Sequence, residues 1–178
     1  TCIVMDGEFV TKCTITDNAP LKGGKSTLYE GGIREPLIIY QPKKIEARVS
    51  SLPVSTYDFY PTICSLTGTG LPKNQVMDGQ DFSEHILGSS QSDEERLFFW
   101  HYPLEKKHFL GGRSSVAVRQ GDWKLIEFYD TGERELYNLK EDVGERNNLI
   151  TENPKKVDEL QSKLIEWREA VLDGDYDF

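Results

Sequence analysis

Along this chain the spacing of apolar residues changes character partway through. Leu37-Ile38-Ile39-Tyr40 is a short continuous apolar run between Pro36 and Pro42. Such a run suits a strand buried on both faces of a helix-covered parallel sheet, and that strand is expected here. The following KKIEARVSSLP is polar and reads as loop. VSTYDFYPTICSLTGTG reads as a helix, because Ser55 and Asp58 stand at Ser-x-x-Asp capping spacing and Gly68 supplies a stop. Pro61 falls inside that run and is expected to remove a hydrogen bond and kink it. Residues 67–95 are rich in Gly, Ser, Pro, Asp and Gln, with a short helix expected around DFSEHIL.

Beyond GSSQSDEE, at Gly88–Glu95, the pattern becomes a series of strand-length runs: RLFFWHYP, SSVAVR, DWKLIEFY and ERELYNL. Gln120-Gly121 and Asp130-Thr131-Gly132 punctuate them as turns, so an antiparallel meander follows. The last element is helical. Asn153 can cap it, Pro154 sits at its first position, and Val157, Leu160, Leu164, Trp167 and Val171 recur at three- and four-residue steps. The expected organisation is an α/β segment over residues 1–90, then an α+β unit over 91–178 in which a helix lies across a small antiparallel sheet.

Composition narrows the choice of function. With 37% hydrophobic residues and a net charge of −9, the 178-residue chain can form a core and lacks the basic surface that nucleic acid requires. No apolar run approaches the ~20 residues of a bilayer-spanning helix. TCIVMDGEFV has neither the basic flank nor the apolar stretch of a signal peptide. The chain also starts without methionine, consistent with an internal or C-terminal piece of something longer. Cys2, Cys13 and Cys64 show no metal-binding spacing. Cys2 and Cys13 can bridge in an oxidising compartment, or all three thiols can stay reduced.

The densest candidate chemistry lies in TDNAPLKGGKSTLYEGGIREP. GGKS suggests a phosphate loop, but the first glycine of G-x-x-x-x-G-K-[ST] would fall at Ala19, and Pro20 removes an amide donor. Nucleotide binding is therefore not expected. Lys25 can instead reach an oxyanion as a point charge beside Gly23 and Gly24, or belong to a basic loop balanced by Glu30 and Glu35. Asp17-Asn18 can offer oxygen ligands to a hard cation, although Asp-Asn-Ala-Pro is foremost a turn. His101, ending an aromatic strand before Pro103, is either a substrate contact or a strand residue. His85 and His108 have polar, loop-like surroundings and receive no role.

Several segments together resemble the formylglycine-dependent (type I) sulfatases. NAPLKGGKSTLYEGGIREPLIIYQP is similar to the family's Asn-x-Pro-Leu-Arg-x-Gly-Lys followed by Glu-Gly-Gly-x-Arg-x-Pro. VSTYDFYPTICSLTG resembles its Asp-x-x-Pro-Thr helix, and MDGQDFSEHILG its Asp-Gly-x-Asp loop. FFWHYP and SSVAVRQGDWKLIEFYDTGERELYNLKEDVGERNNL resemble its C-terminal sheet. The match runs in order from about Thr14 to the final helix.

The resemblance implies the end of an alkaline-phosphatase-like α/β domain, followed by the smaller C-terminal subdomain that shapes substrate choice. It implies hydrolysis of a sulfated small molecule or glycan, with a formylglycine nucleophile and a Ca²⁺ or Mg²⁺ ion supplied by an N-terminal part. On the family pattern only Lys25 falls on an active-site position, the late lysine that contacts sulfate; His101 is a candidate substrate-side contact. Cys2, Cys13 and Cys64 each lack the Cys-x-Pro/Ala-x-Arg context of the formylglycine precursor. Asp17-Asn18 align with the turn before Pro-Leu-Arg and not with the family's metal ligands, and Lys22 stands where arginine is usual. The chain alone is expected to hold no cofactor, to be inactive and to self-associate where sheet neighbours are missing; the full-length enzyme is expected to be exported. The rival readings are a non-catalytic interaction module and a related phosphoryl-transfer enzyme.

Overall fold

The computed structural model describes residues 17–89, 95–105 and 111–171, and the backbone of a hairpin pairing β1 (Val4–Met5) with β2 (Glu8–Phe9). The remaining elements are α1 (Glu30–Ile33), α2 (Phe59–Thr67), α3 (Ser83–Ile86), β3 (Leu97–Tyr102), β4 (Ser115–Gln120), β5 (Trp123–Phe128), β6 (Arg134–Asn138) and α4 (Pro154–Val171). Packing divides the chain into two units. One joins residues up to Glu35 with those from Glu94 onward, and the other is Pro36–Asp93. The expected boundary at 90/91 lies near the second border; the first border, after Glu35, has no counterpart in the sequence reading. Cys2, Cys13 and His108 lie outside the described residues.

The first unit is built on the meander β3-β4-β5-β6, antiparallel throughout. Alternation along each strand sends side chains to two faces, and both are covered. On one face Val116, Val118, Leu125 and Leu136 pack against Val157, Leu160 and Leu164 of α4. Phe99 and Trp167 stack there with ring centroids 4.7 Å apart. Asn153 precedes α4, its carbonyl accepting from Lys156 and Val157 N–H while its side chain donates to Leu149 O. On the opposite face Ala117, Ile126, Phe128 and Tyr137 pack against Leu28, Tyr29 and Ile33, from the segment leading into and through α1. The glycine-rich segment is thus laid across the sheet.

In the second unit, a 3₁₀ turn at Thr56–Asp58 leads into α2, and Gly68 closes it in the left-handed conformation (φ +69°). Asp58 is fully buried. Its Oδ2 accepts the Ser55 N–H at 2.6 Å, and its Oδ1 accepts the Gln80 N–H at 2.9 Å, which ties the Asp-Gly-Gln loop to the helix start. Two expectations are corrected here. Pro61 costs no hydrogen bond, because α2 begins at Phe59 and places Pro61 in the first turn, where backbone N–H groups have no helical acceptor. Leu37–Tyr40 is no strand, and Ile38 and Tyr40 are 90% and 83% exposed. A doubly buried strand needs neighbours on both edges, and among the described residues none pairs with this run.

Candidate functional site

Lys25 stands at the crest of a clamped turn. Thr27 donates to Gly24 O twice, from its backbone N–H (3.1 Å) and from Oγ1 (2.8 Å), while Gly24 N–H donates to Thr27 Oγ1 (3.3 Å). Between these ends Ser26 holds φ +72°, a left-handed conformation that disfavours a side chain by roughly 1–2 kcal/mol. Lys25 itself is exposed. It lines an open cleft of about 730 Å³ with Lys22, Asp17, Glu145 and Arg146.

The charges around this cleft are not equivalent. Lys22 Nζ donates to Tyr137 Oη (2.9 Å), lies 4.0 Å from the centre of the Tyr29 ring and 3.7 Å from Glu135 Oε2. Tyr29 and Tyr137 each donate to that same carboxylate oxygen at 2.8 Å. Burial, reinforced by Glu135, pushes both phenols far above their ordinary pKa, so both remain donors. Lys22 is therefore spent inside a polar knot. Among the described residues Lys25 and Arg146 form no side-chain ion pair, and they give the cleft its positive character.

Beneath the cleft lies a cluster that sequence reading missed. Lys124, on the sheet face covered by α1, is fully buried, and its Nζ lies 2.9 Å from both Glu30 Oε1 and Glu145 Oε1. Glu145 Oε2 also accepts the Glu30 N–H at 2.6 Å. Arg34 and Arg119 approach Glu30 Oε2 at 3.5 and 3.9 Å. Burial holds the Glu145 carboxyl above its ordinary range despite the attraction of Lys124. The available signal was parity: Lys124 shares its strand face with Ile126 and Phe128, so strict alternation turns it inward, where a lone ammonium needs carboxylates.

Asp17 and Asn18 serve the backbone. Asp17 Oδ1 accepts the Ala19 N–H at 2.9 Å, and Asn18 Nδ2 donates to Gly31 O (3.1 Å) and Gly23 O (3.4 Å). Among the described residues no cluster of His, Cys, Asp and Glu could hold a metal ion, so none of these residues fits the divalent cation that the resemblance implies. Cys64, a buried free thiol within α2, does not fit the formylglycine position either. His101 occupies the sheet face turned to α4. Its ring meets Tyr129 edge-on at 5.7 Å, its Nε2 is shielded from solvent, and burial aided by Arg168 lowers its pKa. Lys25 and His101 are thus on opposite faces of one sheet and are not brought together.

Residues 24–170 match the family model of the N-sulphoglucosamine sulphohydrolase C-terminal region. The chain belongs to the sulfatase family. It is 36% identical to a sulfatase of Formosa agariphila over 165 residues, covering 85% of this chain and 30% of that protein. With human arylsulfatase A it shares 34% identity over 153 residues, 73% of this chain and 29% of the relative. The crystal structure of Ps i-CgsB in complex with k-i-k-neocarrahexaose superposes with a TM-score of 0.72 at 27% identity, covering 85% of this chain and 32% of that one. This sulfatase chain thus spans about three-tenths of the length of these relatives. Among its described residues no helix is long and apolar enough to cross a membrane.

Proposed function

We propose that this chain is the C-terminal portion of an exported enzyme that hydrolyses sulfate esters, with Lys25 contributing one positive charge to the sulfate. The formylglycine nucleophile and a Ca²⁺ or Mg²⁺ ion would come from the N-terminal part; bound there, they would supply the attacking oxygen and Lewis-acid polarisation. In this reading residues 1–90 complete the α/β catalytic domain and residues 91–178 form the subdomain beside it. The observation that carries the proposal is the presentation of Lys25: exposed, without an ion-pair partner among the described residues, on a turn clamped at both ends. A charge held in place before the reaction stabilises developing negative charge without reorganisation.

A sulfated glycan is the favoured substrate class, supported by the likeness in fold to a protein crystallised with neocarrahexaose. We assign the sulfate contact to Lys25 alone and give His101, with its shielded Nε2, a packing role against Tyr129.

The test uses the full-length enzyme. Lys25→Ala should lower kcat/KM for an aryl sulfate at least ~100-fold while the melting curve is retained. Unchanged kinetics would remove Lys25 from the site. A coding sequence upstream of Thr1 without Cys-x-Pro/Ala-x-Arg or its serine counterpart would sink the hydrolase reading altogether.

A further inference from the structure

Besides the Lys22–Tyr137–Glu135 knot, the glycine-rich loop is fastened to the sheet at a second, fully buried point. Three segments distant in sequence meet there: β5 through Lys124, α1 through Glu30, and the turn after β6 through Glu145, all with side chains no more than 2% exposed. From this point contacts lead toward Lys25. Gly31, next to Glu30, donates its N–H to Lys22 O at 2.8 Å and accepts from Asn18 Nδ2 at 3.1 Å. A side chain at Gly31 would place its Cβ only 2.6 Å from the carbonyls of Lys22 and Gly23, so the backbones touch directly. At Gly144, next to Glu145, a Cβ would lie 2.8 Å from Pro20 O, so the second acidic segment presses on the same loop. The backbone beside each carboxylate-bearing residue thus leans on the segment that ends in the Gly24–Thr27 turn.

We infer that Lys124 and Glu145 are positioning residues for sulfate ester hydrolysis: their buried clasp with Glu30 fixes the height and direction at which Lys25 enters the cleft. This inference rests on the assignment of Lys25 to the sulfate. None of the three clasp side chains need touch substrate. The requirement for a clasp is physical. A long lysine on a loosely hung turn would sample many positions, and a displacement of about 1 Å at a reacting centre can cost as much as ~100-fold in rate.

The experiment is a coupling measurement in the full-length enzyme with an aryl sulfate, comparing wild type, Lys25→Ala, Glu145→Gln and the double variant. Glu145→Gln is nearly isosteric, retains an oxygen for the Glu30 N–H, and spares the fold that Lys124→Met could lose. It should lower kcat about 10-fold in the wild-type background, with KM changing less than ~3-fold, and about 1-fold in the Lys25→Ala background. Equal losses in both backgrounds would mean that the clasp acts elsewhere, and no loss in the wild type would overturn the inference directly. Hydrogen exchange at Gly31 provides a readout independent of turnover: in Glu145→Gln its amide should exchange at least ~10-fold faster than in wild type, whereas equal rates would show that the clasp does not hold the loop. If Lys25→Ala left activity intact while Gly31 exchange still rose, the assignment of Lys25 to the sulfate would be at fault and not the mechanical link.

Discussion

Lys124 Nζ and Glu145 Oε1 meet at 2.9 Å with both side chains entirely removed from solvent. Deleting one partner of a buried ion pair strands the other charge, an outcome far worse than losing a surface bridge. Lys124→Met leaves two carboxylates without their shared ammonium. It should destabilise the fold by about 3–5 kcal/mol, measured as a lower denaturant midpoint with unchanged slope. A shift under ~1 kcal/mol would mean that Arg34 and Arg119 already suffice for Glu30 and that water reaches Glu145.

The raised pKa of Glu145 fixes the sign of one pH effect. Folding raises this carboxyl above its unfolded value near ~4.3, so between the two values the native state binds more protons than the unfolded chain. Its contribution is fully present below the unfolded value and is lost as pH rises through the folded one. Comparing wild type with Glu145→Gln isolates this term. The stability difference in favour of wild type should shrink as pH climbs from ~4 toward neutrality; a difference that grows with pH would contradict the assignment.

His101 predicts the opposite slope. Its depressed pKa means that the unfolded chain binds the proton first as pH falls below ~6.5, so stability is lost on acidification through that window. His101→Phe should keep the contact with Tyr129 and flatten this part of the pH–stability curve. Proton titration by NMR should also find the His101 imidazole neutral at pH 7, and a resonance titrating at or above the ordinary value would refute the packing role.

Leu160 is fully buried between β4, β5 and β6 on one side and its own helix on the other. Truncation to alanine should cost about 2–5 kcal/mol, the range for large-to-small changes in a packed core. A thermal melt is sufficient, and a loss below 1 kcal/mol would mean that α4 is not seated on the sheet as described.

The exposed run at Leu37–Tyr40 bears on behaviour in solution. Ile38 is 90% exposed and Tyr40 83%, a concentration of apolar surface that associates unless something covers it. The isolated 178-residue chain should show concentration-dependent oligomers by sedimentation, reduced by Ile38→Lys together with Tyr40→Ser. A wild-type chain that stays monomeric at all concentrations tested would argue against self-association.

Periodicity revealed most of the architecture. The four strands, their turns and α4 emerge from alternation and helical spacing because each strand pairs with its neighbour in sequence and each element keeps a periodic apolar face. Ser55 and Asp58 were legible as a cap for the same local reason. Leu37–Tyr40 misled because apolarity records what a segment is able to bury and not whether a partner is present. The Glu30–Lys124–Glu145 clasp was invisible for a third reason. Its members are separated by up to 115 residues, and although strand parity turns Lys124 inward, nothing local names Glu30 and Glu145 as its partners. Lys25 could be singled out only through the motif around it.

That separation also dictates an order of assembly. Each pairing in the meander closes a short loop, so the sheet can form from local encounters. The glycine-rich loop cannot: Lys22 must find Tyr137 and Glu30 must find Glu145, each 115 residues along the chain. During synthesis the loop leaves the ribosome before the sheet and waits, unfastened, until β6 and the turn after it have emerged. Pulse-labelled exchange should therefore protect the amides of β4 and β5 before that of Gly31. The loop that lines the cleft is thus translated before its partners on the sheet and fastened only after them.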